Sequence, residues 1–158
     1  MKKTPMLLLC AFLAGTILQS CKKDEKKPSS GTPPTSNTNQ FSLTVDGVNT
    51  VPTTINVQEA GGVVVCNGIV NANTSYTIST EDGLMPGTYA IDANTPFDIL
   101  HSDDNNATFY ASYSGSVTVT THDTVNNRIA GNFNCTLTRV NPPATKTVTN
   151  GQFNFSYN

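Results

Sequence analysis

Proton transfer near neutral pH would fall to His101 and His122, the two imidazoles of this sequence. A base of that kind acts on a nucleophile within hydrogen-bond reach and is itself oriented by a third group. Serines are plentiful, yet no Gly-x-Ser-x-Gly elbow occurs, and Ser114-Gly115-Ser116 reads as a turn entering a strand. Zinc would need a tight set of His, Cys, Asp or Glu, and neither His-x-x-x-His nor Cys-x-x-Cys spacing is present. The chain is therefore expected to be a non-enzyme without a cofactor. A hydrolase is the outlying alternative, requiring His101 or His122 to meet a nucleophile in a cleft.

The densest polar cluster is Asp98, His101, Asp103, Asp104, Asn105 and Asn106, which the pattern places in a loop between two strand-like segments. Hard cations such as Ca²⁺ take six to eight oxygens, so Asp98, His101, Asp103 and Asp104 are weak metal candidates. A solvated loop with local Asp and Asn hydrogen bonds is the plainer reading, because no Asp-x-Asp-x-Asp-Gly run with a closing glutamate is found. Cys66 and Cys135 lie in apolar, alternating segments. A disulfide between them would close a loop of about 70 residues and contribute roughly 4 kcal/mol; two buried free thiols are the alternative. Carbohydrate platforms use flat rings, and Trp is absent. Tyr89, Tyr110 and Tyr113 sit where strand periodicity could expose a ring, although strand aromatics more often pack a core.

The N-terminus carries an address. Lys2 and Lys3 precede a 13-residue apolar stretch from Met6 to Leu18, too short to span a bilayer as a helix, which ends in Leu18-Gln19-Ser20-Cys21. Leu18, Ser20 and Cys21 resemble the lipobox of bacterial lipoproteins, while Gln19 departs from it. The resemblance implies a signal peptide over residues 1–20, removal of it, and lipidation of Cys21 as the new N-terminus, with several acyl chains holding the protein stably in a membrane. Lys22-Lys23-Asp24-Glu25-Lys26-Lys27 resembles the charged export signal of surface lipoproteins in the Bacteroidetes, which implies an outer-membrane anchor facing the cell surface; the periplasmic face is the alternative. Residues 28–40 are Pro, Ser, Gly, Thr, Asn and Gln with no apolar side chain to bury. With the charged run before them they form a flexible linker over 21–40, reaching roughly 24 Å.

Residues 41–158 suffice for one domain. They hold Arg128, Arg139 and Lys146 against nine acidic residues, a formal charge of −6. Nucleic acid is excluded as a natural partner by that balance. Period-two alternation with β-branched and aromatic residues predicts strands at Phe41 to Val45, Val48 to Val51, Thr54 to Gln58, Val63 to Val70, Ser75 to Thr80 and Gly87 to Ile91. Further strands are predicted at Ala107 to Tyr113, Ser116 to His122, Arg128 to Val140 and Gln152 to Tyr157. Asp46-Gly47, Gly61-Gly62, Glu81-Asp82-Gly83, Asn126-Asn127 and Asn150-Gly151 supply turns. The fold class is all-β, an antiparallel β-sandwich or a partly open β-barrel.

The Val45-Asp46-Gly47 turn after Phe41, then Pro86-Gly87-Thr88-Tyr89, Gly115 to Val119, Ile129 to Phe133 and Val148 to Phe153 together resemble the small uncharacterised envelope lipoproteins of Bacteroidetes. The resemblance implies localisation and fold and carries no activity. Asp123-Thr124-Val125 resembles the O-glycosylation acceptor of the same bacteria, which makes Thr124 a modification candidate. The expected role is a lipid-anchored, monomeric, non-catalytic binding or structural module whose partner is an envelope protein or glycan. Its rival is a carrier of a small lipid or glycan, with an apolar cavity inside a barrel.

Overall fold

Side chains alternate sides along an extended chain, so a sequence that alternates apolar and polar residues buries one face of each strand and solvates the other. The computed structural model describes residues 38–158 apart from Ala93 and Asn106, and there this pattern builds ten strands. They are β1 (Gln40–Val45), β2 (Val48–Thr50), β3 (Thr54–Ala60), β4 (Val63–Asn71), β5 (Thr74–Glu81), β6 (Gly87–Ile91), β7 (Phe97–Asp103), β8 (Thr108–Asp123), β9 (Arg128–Arg139) and β10 (Ala144–Ser156). The expected signal peptide, Cys21 and nearly all of the expected linker lie outside the described residues. No helix among those residues is long and apolar enough to cross a membrane.

All ten strands belong to one antiparallel sheet in the order β2-β1-β10-β9-β8-β7-β5-β4-β3, with β6 paired beside β8. The sheet curls into a half-barrel, so the all-β expectation holds in its partly open form. Rings from strands far apart in that order meet inside the curl. Phe97 of β7 lies 5.7 Å from Phe153 of β10, and Phe41 of β1 lies 6.4 Å from Tyr76 of β5 in an edge-to-face pair. Strands far apart in the sheet also approach at Gly68 in β4, where a Cβ would come within 2.5 Å of the Phe41 ring of β1 and 2.8 Å of Pro52. Phe97, Phe133 and Phe155 are among the largest side chains fully buried there.

The structure departs from the sequence reading in three places. Residues 97–103, read as loop, form β7 and pair with both β5 and β8. Two predicted strands are one, the 16-residue β8, which bends at register shifts between Ser112 and Ser114 and between Val119 and Thr121. Asn150-Gly151 is not a hairpin turn but a bulge within β10, with Asn150 at φ 52°. Of the two readings of Cys66 and Cys135, the disulfide is not formed and the alternative holds: both are buried free thiols. Cys66 is on β4 and Cys135 on β9, with β8, β7 and β5 between them along the sheet, and each packs among apolar neighbours of the core.

Candidate binding site

Strand alternation decides what the polar cluster of β7 can do. Phe97, Ile99 and His101 point into the core, whereas Asp98 and Leu100 point out. The four metal candidates are thereby divided: Asp98 faces solvent, where Ser112 donates to its carboxylate, while His101 and Asp103 share the inner face. Asp104 sits in the following turn at φ 55°, and Asn106 lies outside the described residues. Among the described residues no group of three or more ligating side chains is close enough to hold a metal ion.

His101 is the middle of an aromatic row. Tyr76 of β5 and Tyr110 of β8 are its register partners on either side. The Tyr76 ring stacks on the imidazole at 4.4 Å, and Tyr110 lies at 5.5 Å. Nδ1 lies 3.3 Å from the carbonyl of Ser75, which can only accept, so Nδ1 carries the hydrogen. Nε2 lies 2.9 Å from Asp103 Oδ2, off the line of a good hydrogen bond, and the two form an ion pair only when the imidazole is protonated. Lys146 reaches the same carboxylate oxygen at 3.4 Å. Arg139 and Lys146 each stand 5.1 Å from the Tyr110 ring centre, close enough for cation–π attraction. Burial works to raise the Asp103 carboxyl, but the contact and charge of His101, with Lys146, outweigh it and hold the carboxyl below its usual range.

His122 is locked in the same manner at the other end of β8. Its Nδ1 donates to the Leu84 carbonyl at 2.7 Å, and its Nε2 lies 2.8 Å from the Tyr157 hydroxyl, which donates to Asp82 at 2.8 Å. This network ties the C-terminal residues to the β5–β6 connection. Burial, then the Asp82 contact, pushes the Tyr157 phenol well above its usual value. Both imidazoles are thus occupied by core and backbone contacts.

What remains available is a patch on the solvent face of β7, β8 and β9. Leu100, Ala111 and Thr138 are cross-strand partners in one row. Phe109 and Tyr113 flank Ala111 along β8 and are 56% and 70% exposed, and Val140, just past β9, is 86% exposed. Phe109, Tyr110, Arg139 and Val140 border a cleft of about 550 Å³. Tyr113 was legible as an exposed ring. Phe109 was missed, although it shares the parity of Tyr113 on one strand and opposes that of buried Tyr110. Tyr110 packs the core, as strand aromatics more often do: it is 7% exposed and lies against His101. Tyr89 is half-buried, with its hydroxyl donating to the Met85 carbonyl at 2.6 Å.

Thr124 is exposed at the tip of the β8–β9 hairpin, where Asp123 accepts hydrogen bonds from the backbone of Val125 and Asn126, each at 3.0 Å. Cys66 and Cys135 are both pushed up to about 12 by burial, with the charge of Asp98 adding to the effect at Cys135. No family model matches this chain, and neither a curated protein nor a solved structure does.

Proposed function

We propose that this chain is a lipid-anchored, non-catalytic binding module of the bacterial cell envelope, displayed on the outer membrane through Cys21 and engaging an envelope partner through the outer face of β7, β8 and β9. The observation that carries the reading is the aromatic and aliphatic patch of Leu100, Phe109, Tyr113 and Val140, exposed on the outer face of the sheet and just past its β9 strand. A carrier needs apolar residues around a void, whereas an interaction module needs a filled core and an exposed apolar patch. Phe97, Phe133 and Phe155 fill the inside of the curl, which favours the module. Engagement of both imidazoles in fixed contacts supports binding without chemistry.

Two measurements test the two halves of this reading. Metabolic labelling with a palmitate analogue, comparing wild type with Cys21→Ala, should give label that depends on Cys21, and protease treatment of intact cells should remove the domain. Label retained in the variant refutes the anchor at Cys21, and complete protection from protease refutes surface display. For the interaction face, a photo-crosslinking residue at position 113 should trap a discrete adduct in intact cells, and one at Val125, on the hairpin tip, should not. Equal trapping at both positions, or none at 113, counts against the patch.

A further inference from the structure

We propose that the solvent face of β1, β10 and β9 forms a second binding site, distinct from the aromatic patch, whose ligand is an uncharged carbohydrate. A cleft of about 830 Å³ lies there, within the range of small-molecule sites. Its floor is a grid set by strand register. Gln40, Asn154 and Ala130 form one row across β1, β10 and β9, and Ser42, Gln152 and Asn132 form the next. Rows two residues apart lie about 6.6 Å from one another along the strands, and neighbouring strands about 4.8 Å. Val51 and Pro52, which follow β2, and Thr53 wall one side.

The chemistry of this lining is specific. In a domain with nine acidic residues, none of the described residues that border the cleft is charged. A cation would be desolvated there without a counter-charge, and an anion would meet only the Arg128 guanidinium, which is already engaged with Asn154. The polar groups are carboxamides and hydroxyls, each able both to donate and to accept, as each sugar hydroxyl does. Two of the amides are fixed in advance. Arg128 Nε donates to Asn154 Oδ1 at 3.0 Å, and the backbone N–H of Ser156 donates to Asn39 Oδ1 at 2.7 Å, so each amide turns its NH₂ group away from that partner as a donor. Val51, 56% exposed, and Ala130 offer apolar contact for the C–H faces of a sugar ring. A peptide added as an extra strand would need free main-chain groups; β10 and β9 on the floor are paired on both sides, which leaves for it only the short β1 edge over Gln40–Ser42, beyond the pairing of β1 with β2.

The test uses the full chain, ¹⁵N-labelled, with malto-, cello- and mannohexaose as probes. At least one of them should shift the side-chain NH₂ signals of Gln40, Asn132 and Gln152 saturably. The double variant Asn132→Ala, Gln152→Ala, its backbone spectrum otherwise retained, should bind that sugar about tenfold or more weakly, as the loss of one or two hydrogen bonds predicts. Val125→Ala should bind it as wild type does. Affinity should change less than about twofold between low and high salt, because no ion pair is involved. The proposal is overturned if no probe moves these amides, if the double variant binds unchanged, or if affinity falls steeply with salt. An alternating Thr-Val hexapeptide that moves them when the sugars do not would assign the cleft to peptide and equally overturn it. These signals do not report on Phe109 or Tyr113, so failure here leaves the aromatic patch to its own test.

Discussion

Single residues in this protein are decided by burial and by the partners that burial supplies. Cys66 and Cys135 are small apolar fillers, and a thiol pushed up to about 12 is almost wholly protonated at neutral pH and unreactive. Alkylation without reductant at pH 8 should therefore leave both unmodified in the native protein and modify both in denaturant; intact mass reads the difference. A disulfide would leave both unmodified in either condition. At Asp103, the lowered carboxyl has a signed consequence. Between the native value and the ordinary one near 4 the unfolded chain binds more protons, so the contribution of Asp103 is complete above about pH 4 and is lost as pH falls through the native value. Urea unfolding from pH 5 to 2.5 should show a steeper loss of stability in wild type than in Asp103→Asn. Identical slopes would mean that the ion pairs with His101 and Lys146 do not form in solution.

At the scale of elements, β8 explains most of what the sequence did and did not disclose. Tyr110 is buried at an even position and Val117 and Val119 at odd ones, so the inward face changes parity within the strand. A bulge at Tyr113 accomplishes the change, and two predicted strands become one. Gly115 stands just beyond it at φ 152°, where a Cβ would strike the Asn134 carbonyl and Cys135 on β9. Gly115→Ala combines a disfavoured dihedral with overpacking and should cost about 3 kcal/mol, read as a lower denaturation midpoint at unchanged slope. A loss below about 1 kcal/mol would show that the bulge relaxes freely. Strand β7 stayed hidden because its inner face runs Phe97, Ile99, His101, Asp103, and the last two break the apolar alternation that marks a strand. Their burial is acceptable only because Tyr76, Tyr110 and Lys146 arrive from other strands to stack on and pair with them. By contrast β6 was read to the residue and the β8–β9 hairpin nearly so, since Val117, Val119, Ile129, Phe133 and Leu137 alternate without interruption around a polar turn.

At the scale of the whole described domain, a filled interior is set against two unlike stretches of outer face. Phe109 and Tyr113 contribute little to the core, so Phe109→Ser with Tyr113→Ser should change stability by no more than about 1 kcal/mol, as exposed substitutions do. The same change should remove the adduct trapped from a crosslinker placed at nearby Val140. A large loss of stability, or an adduct that survives, would place the binding surface elsewhere. The sequence by itself determined the class of fold, most strand positions and the inward sets on β9 and β10, because side-chain alternation is a local property that each strand writes independently. It also carried the expectation of lipidation at Cys21, which rests on a resemblance over a short contiguous stretch outside the described residues. Only the tertiary structure decided that Cys66 and Cys135 stay apart, that the β7 cluster divides across a sheet, and that Gln40, Asn132 and Gln152 share one cleft. These depend on which strands become neighbours and in which register, a choice made by long-range pairing and by the curl of the sheet, which no local pattern encodes.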